Sequence, residues 1–231
     1  MKLLTQNADL RKTGVWAWTL PAHFVTMDNG EKFYTCPQAG VCGAFCYAKT
    51  GTFQFSNVKA AHREKLDLVL NDLDGFKRLM ADELKHKRYN NAYIRVHDSG
   101  DFFSRDYAIA WAEIAKQHTD KIFYAYTKQV ELIKSTRDVF PSNFIFIFSF
   151  GGKQDHLIDR ETDRHCDVFG VYQELVDKGY CDIHDDDRLA AISPNHKIGI
   201  FRNNIPHIIK KIGASSFSSF ERDNKKGDMF A

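Results

Sequence analysis

Long apolar runs are missing from this 231-residue chain. No stretch approaches the roughly 20 consecutive apolar residues of a bilayer-spanning helix, so no membrane partner is expected. The opening residues, MKLLTQNADLRK, hold too short an apolar stretch for a secretory signal. Net charge is nearly absent: 32 Lys and Arg against 30 Asp and Glu leave +2. With the basic residues spread along the chain, the broad positive field of a non-specific nucleic-acid binder is not indicated, which leaves room only for a local basic site. Cysteine is scarce and odd in number: five in all, three of them within eleven positions, with Cys166 and Cys181 far away. That is not the layout of a disulfide framework, and a reducing cytoplasm is the expected compartment.

What is present suits a folded α/β chain. A content of 43% hydrophobic and 27% charged residues excludes wholesale disorder and fibrous repeats, and the length fits a single domain over residues 1–231. Residues 1–56 read as a lead-in, as a strand pair or irregular, followed by a cysteine-rich loop. NVKAAHREKLDLVLNDLDGFKRLMADELKHK reads as two helices, with Asn57 as an N-cap and a break at Asp74-Gly75. Over the β/α region 57–205, apolar strands (AYIRVH, KIFYAY, NFIFIFSF, RHCDVF, KIGIF) alternate with helical segments such as RDYAIAWAEIAKQH, KQVELIKST and VYQELVDKGY. Such alternation implies right-handed crossovers and a parallel sheet, here an incomplete (β/α) barrel of about six parallel strands. The 19 Phe fall largely in these strands, where burial explains them better than base stacking. Residues 206–231 form a polar arm or tail with scattered Phe.

The segment TCPQAGVCGAFCYAK sets Cys36, Cys42 and Cys46 at C-x5-C-x3-C around Pro37, Gly40 and Gly43. Thiolates gather where a soft metal offsets their repulsion, and Pro- and Gly-rich sequence is a poor core element. Zinc sites pair one such motif with a second pair or with His, and no second pair exists here. Three local cysteines fit a [4Fe-4S] cluster held at three irons, the fourth being open or closed by His97, His165, Cys166 or Cys181.

RVHDSGDFFSRDY is the densest polar constellation and follows an apolar strand directly. Strand alternation puts Arg95, His97 and Ser99 on one face and Asp98 on the other, with Gly100 ending the strand and admitting close backbone approach. His97, Asp98, Ser99 and Asp101 then stand at the carboxyl edge, where such folds bind ligands. Two chemistries can use that edge: the acidic and carbonyl groups of Ser99-Gly100-Asp101 can hold a cofactor ammonium, or hydrolysis can use Ser99 as nucleophile or His97 as general base with a neighbouring carboxylate. The bland alternative is a turn capping the next helix. Tyr126, Thr127 and Lys128 end the next strand, with Lys128 as base or anion clamp, and Ser149 precedes the Gly151-Gly152 pair, which can admit a ligand. The run Asp185, Asp186, Asp187 reads as a solvated loop.

These stretches, TCPQAGVCGAFCYAKTG, NVKAAHREKL, RVHDSGDFFSRDY, FYAYTK, NFIFIFSFGGK and NHKIGIF, resemble the phage gene product 88 family over most of the chain. The resemblance implies the host bacterial cytoplasm as location. More distantly, CYA followed by β/α units is similar to the radical S-adenosylmethionine superfamily, whose spacing is C-x3-C-x2-C rather than C-x5-C-x3-C. That likeness implies a partial barrel, a [4Fe-4S] cluster on the three cysteines and S-adenosylmethionine at Ser99, Gly100 and Asp101. The functional expectation is a cluster-binding protein acting as an enzyme on a small-molecule substrate, with His97, Ser99, Asp101 and Lys128 catalytic and Asp98, Ser99, Gly100, Asp101, Tyr126 and Ser149 binding cofactor. The alternatives are an esterase-like hydrolase with a structural or Lewis-acid cluster, and a non-enzymatic module that binds nucleic acid or a host protein. No feature of the sequence sets an oligomeric state.

Overall fold

A computed structural model of the protein describes residues 2–201 and 216–219. Nine strands run in chain order as β1 (Val15–Trp18), β2 (Phe24–Thr26), β3 (Lys32–Tyr34), β4 (Tyr93–Val96), β5 (Ile122–Thr127), β6 (Phe144–Ser149), β7 (His165–Phe169), β8 (Cys181–Asp182) and β9 (Lys197–Phe201). The helices are α1 (Ala8–Lys12), α2 (Val41–Ala44), α3 (Ser56–Asn71), α4 (Leu73–Leu84), α5 (Arg105–Gln117), α6 (Val130–Thr136), α7 (Tyr172–Asp177) and α8 (Leu189–Ile192). Seven strands form one curled half-barrel sheet in the order β1-β4-β5-β6-β7-β9-β8, every pairing parallel, while β2 and β3 make a separate antiparallel hairpin.

Period-two alternation divides the core between the two faces of this sheet. Trp18, Ile94, Val96, Phe123, Phe144 and Phe146 pack with Phe76 and Met80 of α4, Trp111 of α5 and Ile133 of α6. Val15, Ala17, Tyr124, Ile147, Cys166 and Ile198 line the other face with Ala190 and Ala191 of α8. The Phe-rich strands are thus core, as their sequence indicated. Burial of the outer face against helices is what a parallel sheet requires, since both of its faces must be covered.

Three boundaries differ from the sequence reading. VWAW, placed in the lead-in, is β1 of the main sheet, registered Val15 to Tyr93 through Trp18 to Val96; with the short β8 it brings the strand number to seven. The N-cap of α3 is Phe55, so Asn57 lies inside the helix. The helix break falls at Asp72, whose Oδ1 accepts from the Gly75 N–H at 2.8 Å and caps α4. Most of the 206–231 arm lies outside the described residues. Its segment 216–219 is packed: Ser218 donates through N and Oγ to the buried carboxylate of Asp167 at 3.1 and 2.6 Å, and Phe217 is buried.

Candidate functional site

The cysteine segment is tied down at both ends by the carboxyl edge of the sheet. Before Cys36, the Thr35 carbonyl accepts from Asp101 N at 2.9 Å, and Cys36 N donates to His23 O at 3.1 Å. After it, the single carbonyl of Gly151 accepts from both Gly40 N and Cys42 N, at 3.0 and 3.1 Å. Cys42 therefore sits on the four-residue α2, and only Cys36 and Cys46 occupy non-helical backbone. The Gly151-Gly152 pair receives this segment of the chain itself. A Cβ at Gly152 would lie 2.9 Å from the Lys128 Cβ and 3.0 Å from the Gln38 carbonyl oxygen. Gly100 likewise admits Leu20, 2.7 Å from where its Cβ would stand, at a φ of +87°.

One cavity of about 150 Å³ opens beneath the segment, and the sequence-predicted residues converge on it: Cys36, Cys42, Cys46, His97, Asp98, Ser99, Gly100, Asp101, Tyr126, Lys128 and Ser149. His165, Cys166 and Cys181 do not border it. His165 bonds Asp163 O and the Tyr180 hydroxyl at the start of β7, and Cys166 is a fully buried core residue. Among the described residues, no group of three or more His, Cys, Asp or Glu converges on a point as ligands of a single ion would. Burial, with lesser repulsion from Asp101 and Cys42, pushes the Cys36 thiol far up, and burial pushes that of Cys46 up to about 11. Lys49 and Lys128 pull the Cys46 thiol down only partly, so both thiols keep their protons at neutral pH.

The polar wall is largely committed within the chain. Asp101 accepts from Thr127 Oγ1 at 2.6 Å, Lys128 N at 2.9 Å and Phe102 N at 2.8 Å; burial raises its pKa to about 6 against the opposing effect of these bonds. Ser99 Oγ donates to Leu20 O at 2.5 Å and meets no base. His97 Nε2 pairs instead with the Tyr107 hydroxyl at 2.8 Å, so the Ser-His contact that a hydrolase needs is absent here. Nor does HDSGD cap the next helix, because Ser104 does that for α5. All three hydrogens of the Lys128 ammonium are used, on Ser149 O, Ser149 Oγ and Phe150 O. Burial opposes that charge, but Cys42, Asp155 and Asp101 outweigh it and hold the pKa above the ordinary lysine value. Lys128 is thus a fixed cation rather than a base.

His97 departs from the face it was expected to share with Arg95. Its φ of +71° ends the alternation and turns the ring onto Phe102 and Tyr107, toward the helical layer. The Tyr107 oxygen accepts from Trp18 Nε1 at 2.9 Å and so ties the His97 ring to the indole as well. Among the described residues His97 Nδ1 has no hydrogen-bond partner, and burial lowers the pKa of the imidazole to about 3.

Four participants escaped sequence reasoning. Arg95, a lone charge inside an apolar strand, was a readable signal. It pairs with Asp187 at 3.2 Å and Asp98 at 3.7 Å, and its guanidinium lies 4.9 Å from the Tyr126 ring centre. Asp187 is therefore not a solvated loop residue; it also accepts from the Tyr124 and Tyr126 hydroxyls. Tyr47 donates to both the carbonyl and the carboxylate of Asp98, joining the cysteine segment to β4. Phe217, from the distant arm, closes the cavity without any local signal. Arg95, Asp98 and Tyr47 also border a second cavity, of about 330 Å³, shared with Lys12, His184 and Asp187.

Comparison with known proteins places this geometry in a phage context. The chain is 33% identical over 117 residues to the Gene 88 protein of Mycobacterium phage D29, covering 46% of this chain and 48% of that one. It is 31% identical over 117 residues, with the same coverage, to the Gene 88 protein of Mycobacterium phage L5. The chain spans about half the length of these curated relatives. No solved structure matches. No helix among the described residues is long and apolar enough to cross a membrane. The family described as Gene product 88 matches residues 1–226, and the chain belongs to that family.

Proposed function

We propose that the protein binds a [4Fe-4S] cluster through Cys36, Cys42 and Cys46 and acts on a small-molecule substrate at the carboxyl edge of the half-barrel. The carrying observation is that these three thiols border one cavity against the buried ammonium of Lys128. The donor set fits: thiolates are soft ligands, and a four-iron cluster spreads three of them over three irons, so they need not converge on a point. When bound, the cluster supplies electron transfer or, at an iron lacking a protein ligand, Lewis-acid contact to substrate.

The chain's own residues do the rest. Lys128 stays protonated and offsets thiolate charge without exchanging its proton. His97 keeps a neutral ring on the helical side of the sheet, where Tyr107 holds it and fixes the end of β4. Arg95, held by Asp187 and Asp98, orients substrate polar groups at the wall shared by the two cavities. A cavity of about 150 Å³ takes an object near the size of benzene, so an organic substrate would enter from the wider one. S-adenosylmethionine, if used, must also come from that side, since the Ser99 and Asp101 side chains are already bonded within the chain.

Anaerobic reconstitution with iron and sulfide tests the reading. A broad band near ~400 nm, lost in Cys36→Ser, Cys42→Ser and Cys46→Ser but kept in Cys166→Ser and Cys181→Ser, is the expected outcome. One equivalent of zinc and no such band would overturn it. Methionine and 5′-deoxyadenosine released on reduction would assign the cofactor separately.

A further inference from the structure

A third, unrelated cleft of about 370 Å³ lies between the β2–β3 hairpin, residues 48–54 and α3. Its walls combine rings and cations: Phe24, Phe53 and His62 with Lys49, Lys59 and Arg63, and no Asp or Glu lines it. The rings stand at different angles, Phe53 being 5.8 Å from His62 with their planes 52° apart, and Lys32, outside the cleft lining, lies 4.8 Å over one face of Phe24 and leaves the other. His62 is neutral at pH 7, its pKa lowered to about 4 by burial and by Lys65, so it offers a face rather than a charge.

The cations differ in availability. Arg63 is paired with Asp67 at 2.8 Å and Asp28 at 3.6 Å. Lys49 donates to neutral groups only, Gly43 O and His23 Nδ1, so its charge is not cancelled. Lys59 is exposed and has no ion pair or hydrogen bond from its side chain among the described residues. It also sits in the first full turn of α3, a helix start with no acidic residue and no side-chain cap, where the dipole already favours an anion. Positive charge thus accumulates beside aromatic faces although the whole chain is almost neutral.

From this juxtaposition we infer that the cleft binds single-stranded nucleic acid, a base stacking on Phe24 and Phe53 while neighbouring phosphates meet Lys59 and Lys49. Unstacked bases offer the π-faces that aromatic side chains take up, and a duplex does not. None of the three cysteines lines this cleft, and Lys59 lies outside the cysteine segment, so its variant reads the cleft apart from the cluster.

Fluorescence anisotropy with a labelled oligothymidylate of about 20 nucleotides tests it. The full chain should bind the strand with affinity falling steeply from ~50 to ~200 mM salt, the slope in log units shrinking by about 0.7 in Lys59→Glu as one phosphate contact is lost. Phe24→Leu, which keeps apolar bulk, should weaken binding roughly fivefold or more without changing that slope. Far-ultraviolet circular dichroism should match wild type for Lys59→Glu, whose site is exposed. Equal affinity for a duplex of the same length, or binding indifferent to both variants, overturns the inference. Competition by a free mononucleotide with no gain for the strand also overturns it and assigns the cleft to nucleotides.

Discussion

The ammonium of Lys128 donates twice to one residue, to the Ser149 carbonyl oxygen at 3.0 Å and the Ser149 hydroxyl oxygen at 2.9 Å. With the third hydrogen on Phe150 O, strand ends β5 and β6 are clamped by one buried cation. Lys128→Met would strand three acceptors, each worth about 1 kcal/mol or more when orphaned in a buried site. Urea unfolding should therefore report a loss of about 3 kcal/mol, against about 1 for Ser149→Ala. A Lys128→Met protein as stable as wild type would exclude the clamp.

Arg95 faces two carboxylates in partly buried surroundings, Asp187 at 3.2 Å and Asp98 at 3.7 Å, with the three side chains 12–16% exposed. Removing Arg95 leaves two partly buried carboxylates without their cation, at a cost of up to about 3 kcal/mol, whereas Asp187→Asn leaves Arg95 its contact with Asp98. Arg95→Met should therefore be the more destabilising, and the double variant should recover part of its loss. Additive losses in a double-mutant cycle would show that the two residues act separately.

His97 makes stability depend on acidity in a definite direction. Its folded pKa, about 3, lies below the ordinary 6.5, so the unfolded chain binds the proton first as pH falls. The stability linked to neutral His97 is complete above pH 6.5 and is lost progressively toward pH 3. Asp101, raised to about 6 by burial, acts oppositely: its folded form holds a proton that the unfolded form releases between about 4 and 6. Urea midpoints measured across this range should fall more gently toward acid in His97→Gln than in wild type, and more steeply in Asp101→Asn. Parallel curves for all three proteins would refute both assignments.

Gly151 adopts a φ of +96°, and a Cβ there would stand 2.8 Å from Phe217 and 3.2 Å from Val41. Gly151→Ala thus combines backbone strain with two collisions, for a cost of about 2 kcal/mol or more. Limited proteolysis should cut the cysteine segment or the 216–219 segment faster in this variant, while a Gly30→Ala control, in the open hairpin turn, should not expose either segment.

The fold was legible where apolar periodicity was strong. Apart from the two-residue β8, the strands from Tyr93 onward and helices α5 and α6 follow from runs such as IFYAYT and YAIAWAEI, whose pattern matches one period unmistakably. β1 was not, because VWAW is only four residues long and lies far in sequence from its partner β4. The site was legible as a set of residue types, but not as roles. Spacing identified the cysteines and HDSGD as neighbours of an edge; only tertiary hydrogen bonds reveal that Asp101, Ser99 and Lys128 are already bonded inside the chain. The positive φ of His97, which moves its ring to the other side of the sheet, is a departure that alternation cannot anticipate.

A single oxygen, the carbonyl of Gly151, receives the backbone hydrogens of both Gly40 and Cys42. The shape of the thiol segment is consequently written by a strand far downstream rather than by its own sequence. Alkylating reagents should reach these thiols at a rate governed by opening of the β6 edge, so that cysteine accessibility reports on the folding of the whole half-barrel. By the same token, whatever meets the thiols meets a backbone already held in place by the carboxyl edge of the sheet.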